Sequence, residues 1–218
     1  MAYQNPSSFG RSKRSLVGLL AVGAVIVLVI IAVSWYINTR NSLVRTEEQV
    51  DAAWSEVENQ LQRRSDLIPN LVNTVQGFAS QEREVFSNIA EARAKLAGAQ
   101  SVKETSEGYN QLQSSLGRLL VVVENYPQLR SNENFIRLQD ELAGTENRIA
   151  VARKRYNDAV RTYNTRIRTF PTSLIAGQLG FAEREYFEVS EEAREVPEVD
   201  FGSSGSGGSS GSGGSNGG

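Results

Sequence analysis

The side chains available for chemistry in this 218-residue chain are carboxylates, amides, hydroxyls and the cationic groups of Lys and Arg, because it contains neither histidine nor cysteine. Without those two residue types there is no ordinary zinc site, no Glu-x-x-His di-iron pair inside a helical bundle, and no Ser–His or Cys–His nucleophile. Disulfides and lipoprotein processing at a cysteine are excluded on the same ground. Gly-x-Ser-x-Gly strings occur only in the C-terminal Gly/Ser stretch, where nothing would hold a nucleophile, and no phosphate-cradling glycine loop precedes a helix. Carboxylate pairs remain, but Glu82 and Glu84 do not share a helix face, and Glu91 with Lys95 is an ordinary i,i+4 surface pair. The chain is read as a non-enzyme with no cofactor and no metal.

Three polar constellations stand out instead. Arg63-Arg64-Ser65-Asp66 lies one turn before Pro69, so Arg63 can meet Asp66, or Arg64 an acid elsewhere. An exposed ion pair contributes roughly 0–1 kcal/mol, so a stabilising role there needs burial. The readings are a solvated face beside the proline or a contact with a partner or second subunit. Asn70, Asn73 and Thr74 follow Pro69 and can satisfy carbonyls that it frees. Tyr156-Asn157 recurs as Tyr163-Asn164, one heptad later. Its tyrosines either pack in the core with their hydroxyls at the rim, or form with the asparagines a polar ladder that sets register.

These groups require helices to position them. From Phe135 to Phe170 apolar residues recur in alternating steps of three and four with one exception, through Leu138, Leu142, Thr145, Ile149, Ala152, Tyr156, Ala159, Tyr163 and Ile167. That is the 3.5-residue period of a coiled-coil-like seam. Ser131 or Asn132 can cap this helix, expected over 132–170, and Pro171 ends it. A second helix is expected over 101–126, opened by the capping box Ser101-Val-Lys-Glu104 and closed by Pro127, with its seam through Tyr109, Leu112, Leu116, Leu119, Val123 and Tyr126. The first runs over 38–97, kinked at Pro69, on a seam that includes Val50, Trp54, Val57, Leu61, Ile68, Leu71, Val75, Phe78, Glu82, Val85, Ile89 and Leu96.

Upstream of all this, Leu16–Ile37 is an apolar run without a charged residue. Spanning a bilayer takes about 20 such residues. In lipid the backbone must satisfy its own hydrogen bonds, so a helix forms despite the many Val and Ile residues. Trp35 and Tyr36 stand at its downstream end as interfacial anchors. The run exceeds the roughly 7–15 residues of a cleaved signal. It reads as a single membrane-spanning helix behind a basic tail, 1–15.

The tail carries Arg11, Lys13 and Arg14, while Arg40 and Arg45 follow the run, a narrow balance that leans toward a C-terminal domain outside the cytoplasmic membrane. Residues 38–200 hold twenty bases against twenty-five acids, which excludes the basic footprint of a nucleic-acid binder. Within that span, Arg148, Arg153, Lys154, Arg155, Arg161, Arg166 and Arg168 face a single acid, Asp158, whereas 171–200 carries eight acids and two bases. The acidic segment is expected to fold back along the basic face as a strap; the alternative is that the basic face meets anionic lipid or a neighbouring subunit. Residues 201–218, Gly, Ser and one Asn after Phe201, cannot bury a core and read as a disordered tail.

The stretches AWSEVENQLQRRSDLIPNLVNTVQGF and LGRLLVVVENYPQLRSNENFIRLQDELAGTENRIAVARKRYNDAVRTYNTRIRTFP closely resemble the LemA family of bacterial membrane proteins, over roughly residues 35–190. The resemblance implies one N-terminal transmembrane helix and an all-α bundle without established enzymatic activity. Its first signature falls on Arg63, Arg64, Asp66, Leu67, Ile68, Pro69, Asn70 and Leu71. The second falls on Tyr126 and Pro127, then on Asn134, Phe135, Leu138, Gln139, Glu141 and Leu142. It continues through Glu146, Asn147, Arg148 and Ile149 to Tyr156, Asn157, Tyr163, Asn164, Phe170 and Pro171. The basic tail and the Gly/Ser end depart from the family core. The family's short N-terminus is described as outside the cell, opposite to the charge balance, so orientation stays open.

The fold expected is therefore an all-α, elongated, antiparallel three- or four-helix coiled-coil-like bundle continuing from a single-pass anchor. The function expected is a membrane-anchored scaffold or self-assembling envelope protein whose partners are the lipid bilayer and further copies of itself. The alternatives are an accessory subunit that docks a membrane enzyme or secretion component, and a lipid-binding or membrane-shaping protein acting through its basic face.

Overall fold

The computed structural model describes residues 9–189, with side chains from residue 16 onward. The expectations for the basic tail's side chains, for the acidic segment beyond residue 189 and for the Gly/Ser end fall outside the described residues.

Six helices follow one another: α1 (Phe9–Gln76), α2 (Arg83–Ala97), α3 (Val102–Glu124), α4 (Pro127–Arg130), α5 (Glu133–Arg168) and α6 (Thr172–Leu179), and no strand occurs among the described residues. An extended segment, 181–189, completes the fold. Helix α1 is 68 residues long, about 100 Å at the helical rise. It carries the apolar run, exposed along its whole length, directly into the bundle.

The apolar seams explain how the helices pack. Helix α5 runs antiparallel to α1, and its buried residues Phe135, Leu138, Leu142, Thr145, Ile149, Ala152, Tyr156, Tyr163 and Ile167 all lie on the expected seam. Three positions differ: Val160 takes the core place expected for Ala159, Asn164 is buried beside the seam, and Phe170, beyond the end of α5, is 75% exposed. Helices α2 and α3 form a second antiparallel pair beside the C-terminal part of α1. They approach so closely that a Cβ on Gly108 would lie 2.9 Å from the Leu96 Cα. Caps follow the sequence signals. Ser101 accepts from the Glu104 N–H and the Glu104 carboxylate accepts from the Gln100 N–H, while Asn132, not Ser131, accepts from the Phe135 N–H at the start of α5.

The first helical region, expected as one helix kinked at Pro69, is instead divided into two. Helix α1 continues through Pro69, and the interruption falls at residues 77–82. There Gly77 leaves the helix and Ala79 is folded into the core, so Phe78 and Glu82, both expected on the seam, sit in the turn, with Phe78 41% exposed. Thr74 donates to the carbonyl of Asn70 within its own turn. The carbonyl that Pro69 releases belongs to Ser65, so Thr74 does not fill that role. Pro127 does not simply end a helix; it occupies the first position of α4, where its missing N–H costs nothing.

The core divides into two clusters. The distal one joins α1 from Ile68 to Val75 with α2, α3, α4 and the start of α5, including Leu112, Leu119, Leu129 and Phe135. The proximal one, nearer the apolar run, joins Leu43, Val50, Val57 and Leu61 of α1 with Tyr109, with Ile149 to Ile167 of α5, with Ile175 and Ala176 of α6, and with Phe187 of the extended segment.

Candidate functional site

Two polar arrangements organise the bundle. The first lies where the clusters meet. Arg64 is 6% exposed, one heptad step from both Leu61 and Ile68. Its guanidinium donates to the Glu146 carboxylate at 2.5 Å, to Gln113 Oε1 at 2.7 Å and to the Leu142 carbonyl at 3.4 Å. Glu146 also accepts from the Tyr109 hydroxyl and from Gln113 Nε2, and Gln113 in turn donates to the Tyr109 oxygen at 2.9 Å. Three helices are thereby tied by one closed network. Burial, and secondarily the adjoining Glu146 charge, raises the Tyr109 hydroxyl well above the usual phenol range, so it stays a donor. Among the described residues no three His, Cys, Asp or Glu side chains converge as metal ligands.

The second arrangement is the Tyr-Asn repeat. Asn157 donates to the Phe187 carbonyl at 3.0 Å and accepts from the Phe187 N–H at 2.9 Å; Asn164 does the same with Arg184, both bonds at 2.9 Å. Each side-chain amide thus mimics a neighbouring strand. The spacing explains the match: seven helical residues rise about 10.5 Å, and three extended residues, 184 to 187, span about 10 Å. Between these two rungs the Tyr156 hydroxyl donates to the Glu185 carbonyl at 2.8 Å, and just beyond them Ser106 on α3 donates to that of Glu188. Phe187, 1% exposed, enters a box of Trp54, Tyr109 and Tyr156, with ring centroids 5.8–6.0 Å from its own for the first two. Trp54 and Tyr156 stand 5.0 Å apart. Arg184 reaches across to α1 and pairs with Glu47 at 3.0 Å and Asp51 at 3.2 Å.

Of the two readings of the repeat, the ladder describes the asparagines and core packing describes the tyrosines. Tyr156 does bring its hydroxyl to the rim, whereas the Tyr163 hydroxyl is buried without a well-formed hydrogen bond. Burial pushes Tyr156 up to about 12 and also raises Tyr163, with Arg184 offsetting part of the effect at each.

Of the strap's eight acids, Glu183, Glu185 and Glu188 lie within the described residues and the other five fall outside them. Within 181–189 the strap's charge pairing with the basic stretch is a single exposed ion pair, Arg168 with Glu183 at 3.6 Å. Arg148, Lys154, Arg155, Arg161 and Arg166 remain exposed and Arg153 is half-buried; Arg161 pairs with Asp158 on its own helix. Backbone pairing to amides and an aromatic plug seat the strap.

The other sequence-chosen residues do not converge on a site. Arg63 and Asp66 are both exposed, and Asp66 accepts from Gln62 rather than from Arg63. Pro69 is half-buried and Asn70 exposed on the outer face of α1. Tyr126 precedes α4, half-buried, with its hydroxyl 3.5 Å from Glu82; Pro127, Phe170 and Pro171 are exposed. Trp35 and Tyr36 are exposed at the end of the apolar run. Glu146, Gln113, Tyr109 and Phe187 were not singled out as site residues from sequence. One signal existed: the α1 seam steps seven residues from Leu61 to Ile68, and the skipped core position is Arg64.

A long apolar helix continuing into an antiparallel all-α bundle, closed by a hydrogen-bonded C-terminal strap, defines a helical protein compatible with a single membrane pass. The model of the LemA family matches residues 53–201, and the chain belongs to that family. It is 26% identical to magnetosome protein MamQ 2 of Paramagnetospirillum magneticum over 85% of this chain and 76% of that protein. It is likewise 26% identical to MamQ of Magnetospirillum gryphiswaldense, over 84% of this chain and 76% of that one. To protein LemA of Metamycoplasma hominis it is 27% identical, covering 72% of each.

Proposed function

We propose that this protein is a non-enzymatic scaffold of a bacterial cytoplasmic membrane, anchored by Leu16–Ile37, whose bundle projects from the membrane and associates laterally with further copies. One observation carries the reading: anchor and bundle share the uninterrupted helix α1. A stretch of mean hydropathy 3.2 with none of it buried needs lipid around it. Anchoring also holds neighbouring bundles in one plane with their axes parallel, which lowers the entropic cost of side-by-side association. Relatives named as magnetosome proteins support a membrane-associated helical protein. The three bases ahead of the anchor favour an extracytoplasmic bundle, which a topology reporter fused after Asp200 would test. Native mass measurement of the full chain in mild detergent is expected to return oligomers. Monomer alone would refute self-association, and a stoichiometric foreign membrane protein would favour the accessory-subunit alternative.

A further inference from the structure

We infer that the corner between α5 and α6 is a second lipid contact, seated in the headgroup region beside the point where α1 enters the bilayer. The inference rests on reading Leu16–Ile37 as membrane-spanning.

Axial register supplies the first argument. Arg64 lies opposite Leu142 and Glu146, and Glu56 and Gln60 share a groove with Arg148, Ala152 and Arg155. Both helices rise equally per residue, so continuing this antiparallel register brings Phe170 level with Asn38, one residue past the apolar run. The proximal core agrees, since Leu43 shares it with Ile167, Ile175 and Ala176. The turn into α6 therefore stands at the height of Trp35 and Tyr36.

The second argument is what this corner exposes there. Helix α6 buries Ile175 and Ala176 against α1 and α5, yet turns Leu174 outward at 66% exposure, next to Phe170 at 75%. Among the described residues beyond the apolar run these are the two most exposed large apolar side chains, and they lie within one turn of each other in sequence. At the interfacial level they continue the anchor's own lipid-facing surface. Arg40, Arg45 and Arg166, all exposed at neighbouring heights, suit the phosphate layer, while Arg168 already shares Glu183. A second contact away from the helix axis would add to Trp35 and Tyr36 in fixing the tilt of the bundle.

The absence of cysteine makes the test direct. Single variants Leu28→Cys, Leu174→Cys and Val121→Cys of the full chain, each carrying a nitroxide label, are reconstituted in vesicles of phosphatidylcholine and phosphatidylglycerol. Collisions with oxygen, which partitions into lipid, are then compared with those of a water-soluble nickel chelate. The expected result is lipid exposure at positions 28 and 174, deeper at 28, and aqueous exposure at 121, which lies at the far end of the bundle on α3. A lipid signal at 28 with an aqueous signal at 174 overturns the second contact and leaves the anchor standing. Shielding of 174 from both reagents also overturns it, in favour of a contact with another copy. An aqueous signal at 28 overturns the anchor and this inference together.

Discussion

Replacing Glu146 with leucine should clearly destabilise the bundle, and pairing it with Arg64→Met should give much of the loss back. Glu146→Leu leaves the Arg64 guanidinium, 7% exposed, without its counter-ion and orphans the Tyr109 hydroxyl. Breaking a buried ion pair from one side costs about 3–5 kcal/mol. Two features lower that figure: the Glu146 side chain is 37% exposed, and Arg64 keeps Gln113 Oε1 and the Leu142 carbonyl. About 2–3 kcal/mol is expected. For a chain of this size each kcal/mol moves the midpoint by about 2–4 °C, so the loss should be roughly 4–12 °C. The double variant joins the two apolar clusters through a methionine and a leucine, and apolar replacement of a buried pair is often neutral. Its cost should fall short of the summed single costs by at least about 1 kcal/mol. Fluorescence of Trp54, inside the bundle and in contact with Tyr156, reports unfolding of the full chain in mild detergent. A Glu146→Leu change within about 0.5 kcal/mol of the parent, or strict additivity in the double variant, would refute the claim that this network joins the two cores.

Further outcomes follow from the strap and the helix contacts. Asn157→Leu and Asn164→Leu each remove two strap hydrogen bonds, worth about 1–3 kcal/mol together, and should speed proteolysis and hydrogen exchange at 181–189 while exchange in α2 stays unchanged; equal acceleration everywhere would mean that the strap has no separate stability. Phe187→Ala should release the same segment more completely, at about 3–5 kcal/mol, read by loss of protection at the Arg184 and Phe187 amides. Gly108→Ala should cost about 1–3 kcal/mol, because the new Cβ meets backbone atoms of Leu96, whereas Gly117→Ala, with nothing within 4 Å, should gain up to about 1 kcal/mol; denaturation midpoints of opposite sign would check both. Tyr156 is raised to about 12 and Tyr109 higher still by burial, so the folded state keeps protons that the unfolded chain loses above its ordinary phenol range near 10. The stabilisation is complete below pH 10 and drains as pH rises through 12, and a midpoint flat across that window would contradict it.

The helices were legible because their seams obey a single period and their caps a local code, both written in adjacent residues. The break at Gly77 was hidden by the same logic: Phe78 and Glu82 continue the seam on paper, but reversing the chain there lets α2 lie back along α1 and puts Ala79 in the core. At Pro69, where a kink rather than a break was expected, α1 does continue. Arg64 was visible as one member of a charged cluster. Its partner Glu146 lies 82 residues away, and nothing local distinguishes that acid from its exposed neighbours. The strap was expected for its charge; over 181–189 it is also held by the geometry of Asn157 and Asn164, a match between two different backbone rises that composition cannot register.

That match also accounts for the uneven build of the bundle. In the distal half, α2 and α3 supply two further helices against α1 and α5, and apolar residues on every helix close the core. In the proximal half only α1 and α5 continue, with the first turns of α3, and two long helices cannot enclose a core between them. Helix α6 and the strap provide the missing wall: Ile175 and Ala176 seal one side and Phe187 the other. A free strand edge beside two helices would leave backbone groups unsatisfied. Each asparagine supplies one donor and one acceptor at strand spacing, so the segment is paired as if in a sheet while a helix remains its neighbour. The recurrence of Tyr-Asn after seven residues is the sequence form of that requirement, with the tyrosines facing the core and the asparagines facing the strap.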